Sequence, residues 1–108
     1  MKLQARPAQV RVHSFRLDPD HWVRFQVLAQ KRGWQASGAL RQLVRQFAAE
    51  PFRLEEVRHI GGEARTGWFE CDADAVDKLQ TAADRAGIKL NDALRQLVGV
   101  TLRAERHR

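Results

Sequence analysis

The chain has 108 residues with 19 Lys and Arg against 13 Asp and Glu, a net charge of +6, and it is 44% hydrophobic. That is one domain of ordinary soluble composition, and no apolar run approaches the roughly 18 to 20 residues that a membrane span needs. A single Cys71 excludes an internal disulfide and a cysteine zinc cluster, and with no apolar segment behind the N-terminal charges the chain is expected in the cytoplasm.

The first element is extended. Val10 to Leu17 is rich in β-branched and aromatic residues and too short and unperiodic for a helix. Period-2 alternation puts Phe15 and Leu17 toward a core, and Val12, Ser14 and Arg16 outward. Asp18-Pro19 then starts a helix with an N-cap residue and proline at the first helical position. Trp22, Phe25, Leu28 and Ala29 recur along it at helical spacing, and Gly33 ends it. The second helix carries Leu40, Leu43, Val44 and Phe47 and stops at Pro51. Residues 51–63, with Gly61-Gly62 and several charges, form a linker.

Beyond the linker the order repeats. A shift of 54 lays Phe15–Phe47 on Phe69–Thr101 without a gap, and 12 of the 33 positions are identical, including Ala39-Leu40-Arg41-Gln42-Leu43-Val44 against Ala93 to Val98. The second strand, Ala64 to Cys71, turns Phe69 and Cys71 inward and Thr66, Trp68 and Glu70 outward. Asp72 and Asp74 open the next helix, Val76, Leu79, Ala82 and Ala83 line it, and Gly87 closes it. Leu90, Leu94, Leu97, Val98 and Leu102 mark the last helix. A unit of about 40 residues rarely buries enough apolar surface to fold alone, so the two copies are expected to share one core within a single 1–108 domain. Trp22 and Trp34 are expected in it and Trp68 outside it.

Strand, Asp-capped helix, Gly turn and second helix, with Ser37 and Asn91 four positions after the glycines, resembles the ribbon-helix-helix (MetJ/Arc-type) family over residues 10–50 and 64–104. The resemblance implies a mostly α fold with a two-stranded antiparallel ribbon. The duplication is similar to the tandem members of conjugative relaxosomes, a single-chain pseudo-dimer of order β-α-α-β-α-α. It also implies sequence-specific double-stranded DNA binding by the ribbon in the major groove, with further chains at adjacent half-sites. The role implied is transcription regulation or service as an accessory factor of a plasmid or other mobile element.

Carried over by position, the base-reading side chains are Val12, Ser14, Arg16, Thr66, Trp68 and Glu70. Lys2, Arg6 and Arg11 of the N-terminal arm, with the second-helix starts Ala36, Ser37, Leu90 and Asn91, are the phosphate contacts. Residues 1–54 hold ten Lys and Arg against three acids, and residues 55–108 nine against ten. The first copy is therefore expected to supply most of the electrostatic grip. Trp68 and Glu70 fit this reading least well, and they leave open a protein-interaction module that keeps the scaffold without DNA binding.

Other chemistry has little in its favour. Asp18, Asp20, Asp72 and Asp74 recur at helix starts, which makes them caps rather than acid–base pairs, and His13, His21, His59 and His107 lack metal-ligand spacing. No catalytic residue, metal, cofactor or small-molecule substrate is expected. Arg41 and Arg95 are open to phosphate contact and to a structural role alike.

Overall fold

Four helices and two short antiparallel ladders follow one another as β1 (Gln9–Val12), β2 (Arg16–Leu17), α1 (Pro19–Lys31), α2 (Ala36–Ala49), β3 (Ala64–Arg65), β4 (Phe69–Asp72), α3 (Ala73–Ala86) and α4 (Leu90–Arg106). They are taken from a computed structural model that describes residues 8–12, 16–57, 64–65 and 67–106. Lys2, Arg6, Ser14, Phe15 and Thr66 lie outside the described residues. The fold is mostly helical, and no described helix is long and apolar enough to cross a membrane. Each second-half helix starts 54 residues after its first-half counterpart, Ala73 after Pro19 and Leu90 after Ala36.

Both ladders join the first half of the chain to the second. β1 runs against β4, with Gln9 opposite Asp72 and Val12 opposite Phe69, and β2 runs against β3, with Leu17 opposite Ala64. From Gln9 to Leu17 the first strand advances eight residues, and from Asp72 to Ala64 its partner retreats eight, so the two ladders keep one register. Two strands alone are marginal in water, and the helices beneath must hold them.

Leu17, Phe69 and Cys71 are buried, as alternation predicts. Val12 is not on the outer face; it is 6% exposed and belongs to the core. The reason is its partner. Residues directly opposite in an antiparallel ladder face the same side, and Val12 stands opposite Phe69, which is turned inward. Val12 and Leu17 are five residues apart and both buried, a pair that period-2 alternation counted along one strand does not give.

The helix starts differ in a way the repeat conceals. Asp18 caps α1, its carboxylate accepting the Asp20 N–H at 2.9 Å with Pro19 at the first turn. Asp72 enters α3 with nearly the same backbone angles but makes no cap bond, because its carboxylate is held from other directions. At the far ends Gly33 and Gly87 take φ of +72° and +73°. There the Trp34 and Ile88 N–H groups donate to the Ala29 and Ala83 carbonyls at 2.9 and 3.0 Å. Ile88 is buried, whereas Trp34 stays 40% exposed, against the expectation for it.

Leu40, Val44 and Phe47 of α2 and Leu94, Leu97, Val98 and Leu102 of α4 form the centre of one core, closed by Phe25, Leu28 and Ala29 of α1 and Leu79 and Ala83 of α3. The first part of the expected linker is fastened to this core. Leu54 is buried, Phe52 meets Phe47 edge-on at 5.2 Å, and Glu55 and Gln96 exchange backbone-to-side-chain hydrogen bonds of 2.8 and 2.7 Å.

Candidate nucleic-acid interface

The outer face of the ribbon is assembled from both halves. Arg11 stands opposite Glu70, both exposed, and the Arg11 guanidinium lies over the Trp68 ring, 4.2 Å from its centroid. Trp68 is 54% exposed, with one ring face covered by this cation, an arrangement worth about 0.5–1 kcal/mol at an exposed site. Arg11, assigned by position to the phosphate-binding arm, is thus a ribbon residue whose guanidinium stacks on Trp68. Arg16 extends the same face with an exposed side chain.

Each remaining position has its own place. Val12 is withdrawn into the core and cannot read bases. Ala36 and Ser37 are half-buried in the first turn of α2, where Gln35 supplies no side-chain cap and no acid is present. Free N–H groups and the positive end of the dipole therefore meet no competing carboxylate from that turn. The start of α4 is different. Asp92 accepts the Lys89 N–H at 3.2 Å, and Asn91 turns its side-chain oxygen to the Arg16 N–H at 3.0 Å. Asn91 thus straps α4 to the ribbon, Leu90 is half-buried against the core, and an acid occupies the turn assigned to a phosphate.

Beneath the ribbon α2 supplies the support. Arg41 Nε donates to the Glu70 carbonyl at 2.6 Å, a bond that ties α2 to β4. Arg45 forks onto the Asp72 carboxylate through Nε and Nη2 at 3.0 and 3.1 Å, and Gln9 Nε2 donates to the same carboxylate. The bond to Arg45, then that to Gln9, holds the Asp72 carboxyl below its ordinary range, and the bond to Asp72 raises Arg45. Burial lowers Arg95 and pushes the Cys71 thiol up; Cys71 packs under the ribbon as a neutral side chain. Arg45 and Gln9 were missed from sequence because the repeat pairs Arg45 with Gly99, so nothing in the second copy pointed to an ion pair.

The Asp72 clamp sets a pH dependence. A carboxyl whose folded value is depressed contributes stability that is fully present above its unfolded value, about 3.8, and is lost as pH falls through the lower folded value. Urea midpoints should therefore fall more steeply for the parent than for Asp72→Asn as pH drops below about 4. Parallel pH profiles for the two proteins would contradict the assignment.

No protein-family model, curated protein or solved structure matches this chain.

Proposed function

We propose that this chain is a tandem ribbon-helix-helix protein, an intramolecular pseudo-dimer that binds double-stranded DNA by inserting its ribbon in the major groove. The observation that carries the reading is the ribbon itself. It joins the two halves in one register and offers Arg11, Arg16 and Trp68 on its exposed face, while the 54-residue offset of the helices supports two equivalent units around it. Arg16 is the principal base reader, since a guanidinium can bond guanine O6 and N7 together. Arg11, stacked on Trp68, supplies charge at the groove, and the start of α2 takes a phosphate. Glu70 is tolerated where it accepts from a cytosine amino group.

The grip is asymmetric, with the first half and its excess of basic residues carrying most of it. The protein works without chemistry of its own, in the cytoplasm, as a transcription regulator or mobile-element accessory factor, and further copies occupy neighbouring half-sites about one helical turn apart. Fluorescence anisotropy on a labelled duplex across a salt series tests this. Log affinity should fall against log salt with a slope of about −3 or steeper, as counterions are released. A flat salt dependence would contradict DNA binding.

One observation favours a second reading. Trp68, more than half exposed beside Glu70, has the makings of a protein anchor. A partner that stays bound after nuclease treatment and is lost in Trp68→Ala would favour it.

A further inference from the structure

The repeat is broken on the outer face of α1. Val23 and Val27 are 57% and 47% exposed there, one helical turn apart. The 54-residue shift lays them on Asp77 and Thr81 of α3, which are exposed as well. The scaffold therefore asks for no apolar side chain at these two positions, and the second copy carries polar ones. Packing within the chain does not account for the valines. A groove of about 280 Å³ runs beside them, lined also by Leu28 and Lys31 of α1 and by Leu102 and Glu105 of α4.

We propose that this face of α1 docks on the same face of a second copy of the chain, with the two helices antiparallel. The contact forms without DNA, so it stands apart from the DNA-binding reading, in which it gives neighbouring copies a surface through which to touch.

The charges at the two ends select the occupant and its direction. At ~100° per residue, Asp20, Val23, Val27 and Lys31 fall within an arc of about 80°. Asp20 lies five residues before the midpoint of the valine pair and Lys31 six after it. Antiparallel packing about that midpoint sets Val23 on Val27 of the facing copy, and brings Asp20 level with its Lys31 to within one residue's rise, about 1.5 Å. The Asp20 side chain is 77% exposed, with Arg24 of its own helix at 3.8 Å, and Lys31 is exposed. A parallel pair would instead set Asp20 on Asp20 and Lys31 on Lys31, which repel. Glu105 at the groove edge is already answered by Arg32 at 3.2 Å and adds no unbalanced charge. α3 keeps the same end charges, Asp74 and Arg85, but has no apolar centre to bury. A face that pairs with itself is used up in one contact, so assembly stops at two chains. The valine stripe is short, so the association is weak.

The test is sedimentation equilibrium of the full, nucleic-acid-free chain at concentrations up to about 1 mM in about 0.15 M salt. The parent should dimerise with a Kd of about 1 mM or tighter and form nothing larger. Val23→Asp/Val27→Thr installs the α3 residues and should weaken dimerisation at least about tenfold with an unchanged circular dichroism spectrum. Asp20→Lys and Lys31→Glu should each weaken it about fivefold or more, because each sets like charges together at both ends of the pair. An equimolar mixture of these two variants should associate within about twofold of the parent, since the altered charges then face each other and so do the unaltered ones. A parent that stays monomeric at about 1 mM, or undiminished dimerisation of a folded Val23→Asp/Val27→Thr protein, would overturn self-docking through α1. A mixture no tighter than either charge variant alone would overturn the antiparallel pairing.

Discussion

A Phe69→Ala protein should lose about 3–5 kcal/mol of stability in urea unfolding followed by circular dichroism. Phe69 is 1% exposed, stands opposite Val12 in the ladder and lies in the cluster that gathers residues from all four helices. Truncating it removes a buried ring and leaves a void where the two halves of the chain meet. A domain of this size holds about 5–15 kcal/mol in total, so the loss is a large share of it. Trp68→Ala, one position earlier but on the outer face, should cost about 1 kcal/mol or less, essentially the Arg11 stacking. The contrast separates a shared core from general sensitivity of the strand. Comparable losses in the two variants would contradict the inward and outward assignment of neighbouring residues.

Arg16→Ala should cost about 1–3 kcal/mol of discrimination on a specific duplex, roughly 5- to 150-fold, while nonspecific affinity falls far less. The side chain is exposed on the ribbon, and its backbone N–H is fixed to Asn91, so removing the guanidinium leaves the strand in place. Arg16→Lys keeps the charge but loses the planar fork, and should behave like the alanine variant in specificity while retaining its salt dependence. Arg11→Ala provides the complementary case, with weakening across all sequences and a salt slope shallower by about 1. Competition with unrelated duplex reads both effects. An Arg16→Ala protein that selects the same site as well as the parent would remove Arg16 from base reading.

Which features were legible in the sequence follows from where their causes lie. The helix start at Asp18 and the helix ends at Gly33 and Gly87 rest on local cap and turn chemistry, and the apolar spacing of Phe25, Leu28, Leu79 and Ala83 marks the buried faces without further information. Repetition doubled each of these signals. Val12 was misplaced because its side is set by a partner 57 residues away, and pairing across that separation leaves no trace in one strand's alternation. The Arg45–Asp72 clamp and the Arg11–Trp68 stack escaped for the same reason, since each joins one half of the chain to the other. The repeat itself misled at Asp72, where equal position suggested an equal cap. Trp34 shows another limit: the turn that buries Ile88 does not draw in a larger indole. Of the candidate site, the exposed Arg16, Trp68 and Glu70 were foreseen, whereas the role of Asn91 as a strap required the ribbon's position over α4.

Selection of bound duplexes from a random pool by the full chain bears most directly on the proposed DNA binding. Enrichment of one defined site is the predicted result, with guanine positions that lose their preference when the selection is repeated with Arg16→Ala. A pool that remains indistinguishable from its input after repeated rounds would contradict sequence-specific DNA binding by this ribbon.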